Sequence, residues 1–207
     1  MQKNNDIKVM LKEAGILFVI TLISGLMLGF VYELTKEPIR RQQEKAVQEA
    51  CMAVFPGEAQ FAEISYTPDE AFAAELAAEG VKLGKVFEAK NAGDKLLGYV
   101  IETISTEGYG GNIVLYIGVS LDGTLNDISI LEISETPGLG MRADEVLTPQ
   151  FHQKKVSGFT YTKSGSKTES EIDAISGATV TTKAVTNAVN GGLKAAAKLM
   201  QGGGSHE

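Results

Sequence analysis

The stretch Asp173-Ala-Ile-Ser-Gly-Ala-Thr-Val-Thr-Thr182 gathers hydroxyls on Ser176, Thr179, Thr181 and Thr182 where an apolar run gives way to helical spacing. A helix start exposes backbone N–H groups without intrahelical partners and the positive end of the helix dipole. It can therefore hold a phosphate, and Gly177 with Ala178 lets one come close. Ser176 would serve equally well as an ordinary N-cap that needs no ligand. Two further segments have ligand-binding character. In Glu107-Gly-Tyr-Gly-Gly-Asn112, glycines that include Gly110 and Gly111 flank Tyr109, so the backbone can approach something flat while a ring packs on it. A flexible hairpin turn is the plainer reading. In Glu135-Thr-Pro-Gly-Leu-Gly140, proline fixes one dihedral while Gly138 and Gly140 permit positive ones. That combination makes a stiff surface around Glu135, Thr136 and Leu139, or simply a turn.

Other chemistries are excluded by what the chain lacks. There is no Ser-His-Asp, His-Glu-x-x-His or paired-carboxylate pattern, and His152 has no evident partner in the sequence, so acid–base or nucleophilic catalysis is not expected. One cysteine, Cys51, rules out an internal disulfide and a thiolate-ligated cluster built from this chain alone. With two histidines, a metal centre is not expected either. A net charge of −7 without basic clusters disfavours nucleic acid. Redox work would have to come from an organic cofactor.

The elements that must position these segments follow from periodicity. At 207 residues and 43% apolar content the chain can bury one core beside one membrane segment. Residues 14–32 carry no charge and are long enough to span a hydrocarbon core, which predicts a transmembrane helix over 14–34 preceded by a short N-terminal segment over 1–13. A span without a buried charge offers no ion path. Lysines and arginines lie on both sides, so charge does not decide the orientation. Residues 37–55 have helical spacing and predict a stalk helix, 68–79 predict a second helix, and 35–80 read as a helical connector. Runs at 81–89, 95–105, 112–121 and 125–133 predict four antiparallel strands, with a hairpin at Asp122-Gly123. A closing helix over 180–200 presents Ala184, Val185, Ala188, Val189, Leu193, Ala196 and Ala197 as one stripe. The fold class is α+β: a transmembrane helix, then an antiparallel sheet packed with helices over 81–200, then a flexible tail over 201–207.

Asp173, Ser176, Gly177, Ala178 and Thr179, in the order Asp-x-x-Ser-Gly-Ala-Thr, resemble the flavinylation motif of the FMN-binding domain family, whose threonine carries FMN through a phosphoester bond. The resemblance implies Thr179 as acceptor, with Thr181 and Thr182 as chemical competitors, and it places Asp173, Ser176, Gly177, Ala178 and Thr182 near the cofactor. Gly-Tyr-Gly-Gly, with Tyr109, Gly110 and Gly111, and Glu-Thr-Pro-Gly-Leu-Gly, with Glu135, Thr136, Gly138, Leu139 and Gly140, are similar to flavin-lining segments in G subunits of the Rnf complex, the ion-translocating ferredoxin:NAD⁺ oxidoreductase. The likeness implies an electron carrier with covalent FMN and no substrate pocket of its own. Its partners would be the other Rnf subunits, membrane lipid, and a flavin transferase that uses FAD and Mg²⁺. It would sit in the inner membrane as a single-pass protein with a cytoplasmic N-terminus and the flavin domain outside. The alternatives are the related C subunit of the sodium-translocating NADH:quinone oxidoreductase and a membrane-anchored binding or assembly module without redox work.

Overall fold

The structure, a computed structural model, describes residues 2–55 and 57–202, and its contacts divide the chain after Lys45 into two units. Helix α1 runs over Gln2–Val54 and is the one described helix long and apolar enough to cross a membrane. It contains both the expected span and the expected stalk. Side chains 9–45 are all exposed. A helix that turns leucine, isoleucine and phenylalanine outward on every side, as this one does through Phe18, Leu26 and Phe30, suits hydrocarbon and not water. Pro38 lies inside α1, where its missing N–H takes away the helical donor for the Leu34 carbonyl.

The second unit is built on an antiparallel meander of five strands in the order β1 to β5: β1 Gln60–Ile64, β2 Val81–Lys90, β3 Leu96–Ser105, β4 Ile113–Ser120 and β5 Leu125–Glu132. The four expected strands are β2 to β5, and the hairpin at Asp122-Gly123 closes β4 onto β5 through the Ser120 N–H, which donates to Thr124 O at 2.9 Å. Strand β1 interrupts the helical connector expected over 35–80, whereas helix α2, Glu70–Ala78, lies within the helix expected over 68–79. The first pairs with β2, and the second buries Phe72 and Leu76 in the main core. Gln-Phe-Ala-Glu-Ile carries a weak strand signal, because glutamine, alanine and glutamate are poor strand formers; it is the pairing of Phe61 with Ala89 and its neighbours that makes it a strand.

Strand β4 has helices on both faces, which explains its unbroken apolar run. Ile113, Leu115, Ile117 and Val119 face a core shared with α2 and with the closing helix α5, Thr179–Gly202, whereas Tyr116 faces a second core formed with Ala50, Cys51, Val54 and Phe55. The stripe on α5 is nearly as expected. Ala197 is exposed instead of buried, and Ala195 takes its place at 0% exposure. Helix α5 also extends through Gln201 and Gly202, so two residues expected in a tail are helical; the remainder of that expected tail, 203–207, lies outside the described residues. Between β5 and α5 the chain makes two short helices, α3 Ala143–Val146 and α4 Thr148–Phe151, and a parallel pair, β6 Thr160–Thr162 and β7 Glu171–Asp173, none of which local periodicity anticipates.

Cys51 is 1% exposed, and burial, reinforced by the charge of Glu102, pushes its thiol from 9.0 up to about 12. Tyr116, whose hydroxyl donates to Glu102 at 3.1 Å, is shifted upward for the same reasons. The folded state holds these protons to higher pH than the unfolded chain does. For Cys51 this stabilisation is complete below pH 9.0 and is lost as pH rises toward about 12, and for Tyr116 it begins to fall only above 10.0. Denaturant titrations should show the unfolding free energy falling across that window; a flat profile there would contradict the burial of Cys51 and Tyr116.

Candidate functional site

Strand β7 delivers the chain to a tight turn over 175–178, closed by the Ala178 N–H donating to Ile175 O at 3.0 Å. Gly177, the third residue of that turn, has φ +79°, a conformation glycine adopts without strain. Helix α5 begins directly afterwards. Its first intrahelical bond runs from the Thr182 N–H to Ala178 O at 3.0 Å, so Ala178 holds the cap position and Ser176 does not. The Thr182 hydroxyl reinforces the turn from inside, donating to Ala178 O at 2.9 Å and accepting from the Ile175 N–H at 3.1 Å. Helix geometry leaves the N–H groups of Thr179, Val180 and Thr181 without intrahelical acceptors.

The second segment, after β5, forms a Pro-Gly turn. Leu139 N–H donates to Thr136 O at 3.1 Å, with Pro137 second and Gly138 third at φ +77°. Gly140 does not use the positive φ open to it. What it supplies is room: a Cβ there would lie 2.5 Å from Thr181 Oγ1 and 2.7 Å from Glu135 Cβ. The third segment, between β3 and β4, is pressed against the second, since a Cβ on Gly110 would strike the Ser134 carbonyl oxygen.

Glu135 joins all three segments. It is 8% exposed, and its carboxylate accepts from the Gly110 N–H at 3.3 Å through one oxygen and from the Thr181 hydroxyl at 3.0 Å through the other. Nearby, Lys183 pairs with Glu107 at 2.8 Å, a second link between α5 and the tyrosine loop, and Glu107 holds the Lys183 ammonium above its usual range.

These links enclose an open cavity of about 520 Å³, within the ~300–1,000 Å³ typical of small-molecule sites. Thr179, Gly177 and Ala178 line it on one side; Glu135, Thr136, Leu139 and Gly140 line it on another, and Tyr109 stands at its edge at 75% exposure. Val180 and Thr181 complete the lining. Val180 has no chemical signature that marks it in the sequence, because it belongs to the site by its place in the first helical turn and not by its side chain. Leu139, Met141 and Val180, all at least 40% exposed, give the surroundings an apolar character.

Several expected residues stand elsewhere. Ser176 is exposed in the turn and outside the cavity. The Asp173 carboxylate is occupied with Ser166, accepting from its N–H at 2.6 Å and its hydroxyl at 3.4 Å, and so ties down the loop between β6 and β7. Thr182 is 0% exposed and faces the core. Gly110, Gly111 and Gly138 shape the loops without lining the cavity. His152, which has no evident partner in the sequence, has Asp127 Oδ2 at 2.8 Å from its Nδ1.

An antiparallel sheet with helices on both faces, and a helix start opening into a cavity beside an aromatic loop, fit a nucleotide-sized anion with a flat ring. The class is that of the FMN-binding domain, whose family model matches residues 108–194, while the model for the RnfG N-terminal region matches residues 1–54. The G subunit of the Na⁺-translocating ferredoxin:NAD⁺ oxidoreductase complex of Acetobacterium woodii is 34% identical over 89% of this chain and 90% of its own. The corresponding subunit of the proton-translocating complex of Clostridium ljungdahlii is 34% identical over 81% and 80%. The G subunit of the ion-translocating oxidoreductase complex of Methanosarcina acetivorans is 27% identical over 90% and 94%. The chain belongs to this family of G subunits. Among solved structures, NqrC of Shewanella oneidensis covers 73% of both chains at 21% identity with a TM-score of 0.47, a likeness too loose to carry an argument.

Proposed function

We propose that this chain is a membrane-anchored electron carrier of an ion-translocating ferredoxin:NAD⁺ oxidoreductase complex, with FMN held as a phosphoester on Thr179. The observation that carries the attachment site is the burial of the rival hydroxyls. Thr181 is 2% exposed with its hydroxyl donated to Glu135, and Thr182 is 0% exposed with its hydroxyl bonded to Ala178 and Ile175. Thr179 is half-buried and lines the cavity. In such a transfer the Thr179 oxygen would bond to the flavin-side phosphorus of FAD in the site of a flavin transferase, the bond to the AMP portion would break with AMP leaving, and the hydroxyl proton would pass to solvent or base. Thr179 would hold the phosphoester at the start of α5, where free N–H groups and the helix dipole would favour its charge.

Bound FMN supplies one- and two-electron transfer. The protein's part is to keep the ring beside Tyr109 and the Pro-Gly turn, near neighbouring carriers. In this reading residues 1–13 are cytoplasmic, 14–34 cross the inner membrane, and the sheet unit lies outside, in contact with other subunits of the complex. Co-expression with a flavin transferase, then in-gel fluorescence of the denatured chain and peptide mass spectrometry, should place one FMN on Thr179. An adduct on Thr181 or Thr182 would overturn the assignment, and no adduct at all would favour a non-redox assembly role.

A further inference from the structure

Glu135 has a feature that flavin binding alone does not require: a carboxylate at 8% exposure with both oxygens committed to neutral donors from two other segments. Burying a carboxylate is costly unless its hydrogen bonds are made, so this group holds its donors firmly, and charged hydrogen bonds are roughly twice as strong as neutral ones. The donors are informative. Thr181 is the third residue of α5, two positions after Thr179 and in the same turn, so fixing its side chain fixes the rotation of the helix start about its axis. Gly110 follows Tyr109, so fixing its N–H fixes the backbone that carries the tyrosine at the cavity's edge. The packing leaves no slack, because a Cβ on Gly140 would come within 2.8 Å of Glu135 Oε2 and one on Gly108 within 2.9 Å of Glu135 Oε1.

We propose that Glu135 is the positioning residue of the modification site: through Thr181 it turns the Thr179 hydroxyl toward the cavity, and through Gly110 it sets the tyrosine loop before any cofactor is attached. The inference rests on Thr179 being the acceptor. Glu135 works through Thr181 and Gly110 and takes no part in the transfer itself. Misplacing an attacking atom by about 1 Å can slow a reaction about a hundredfold, so the effect should appear in the rate of attachment, before the loaded protein does any work.

The test uses the full chain in detergent, a purified flavin transferase, FAD and Mg²⁺, with the adduct followed by intact mass. Thr181→Val removes the hydroxyl at nearly constant volume and should slow attachment at least about tenfold, while Thr181→Ser, which can still donate to Glu135, should stay near the wild-type rate. Glu135→Leu, which can accept from neither the Gly110 N–H nor the Thr181 hydroxyl, should slow attachment too. The double variant Glu135→Leu/Thr181→Val should be no slower than Glu135→Leu alone, because the link to Thr181 is already gone. Melting temperatures separate misfolding from mispositioning, and amide exchange at Gly110, protected in the unloaded wild type, should quicken in Glu135→Leu. If Thr181→Val and Glu135→Leu load at the wild-type rate while Thr179→Val does not load, the positioning role is overturned and Thr179 stands. If the wild type acquires no adduct, the acceptor reading falls and this proposal falls with it.

Discussion

Replacing Thr179 with valine should reduce covalent flavin to background while leaving the fold in place. Valine matches threonine in volume and in branching at Cβ, so the first turn of α5 loses little, and at a half-buried site the unfolding free energy should stay within about 1 kcal/mol of wild type. What disappears is the oxygen on which the phosphoester would form. In-gel fluorescence and intact mass read the loss directly. Thr181→Ser and Thr182→Ser serve as companions: each keeps its buried hydroxyl bonds and should remain loaded. Fluorescence persisting in Thr179→Val would mean that the turn over 175–178 rearranges to present another hydroxyl, and the burial of Thr181 and Thr182 would then be a poor guide to the site.

The second large effect is expected at Gly110→Ala. A methyl there meets the Ser134 carbonyl oxygen, with Glu135 Cα at 3.5 Å, and main-chain atoms cannot rotate aside as the end of a side chain can. The tyrosine loop must lift from the Pro-Gly segment, which would break the Gly110 N–H bond to Glu135. Overpacking of this kind costs about 1–3 kcal/mol, and flavin attachment should fall with it. Gly93→Ala is the matched control, since its methyl would meet Asn91 Oδ1 at 3.4 Å, an ordinary contact, and it should be near neutral in both measurements. Equal melting temperatures for the two variants would show that the loops are not locked together as described.

Much of the fold could be read from local pattern. Strands β2 to β5, helix α5 and the membrane-length apolar run each carry a periodicity that burial or lipid imposes residue by residue, and the observed bounds of those strands and of α5 differ from the expected ones by a few residues. Strand β1 and the β6–β7 pair could not be read in the same way. They are short, polar and partly exposed, and they become strands by pairing with chain that is distant in sequence, as Phe61 does with Ala89 and Tyr161 with Ile172. His152 is the same case in miniature, because its partner Asp127 lies 25 residues away.

The site divides along the same line. By itself the sequence determined that three motifs exist, because glycine, proline and hydroxyl residues declare turns and helix starts through their own φ preferences and hydrogen-bonding groups. The tertiary structure alone decided how the motif residues are used. It turned Asp173 and Thr182 to structural work, left Ser176 in the turn, faced Thr179 toward the cavity, and placed Glu135 between Gly110 and Thr181. The physical reason is that a residue's neighbours across the fold decide whether its oxygen is spent or free. Those neighbours, 25 and 46 residues from Glu135, leave no trace in local spacing.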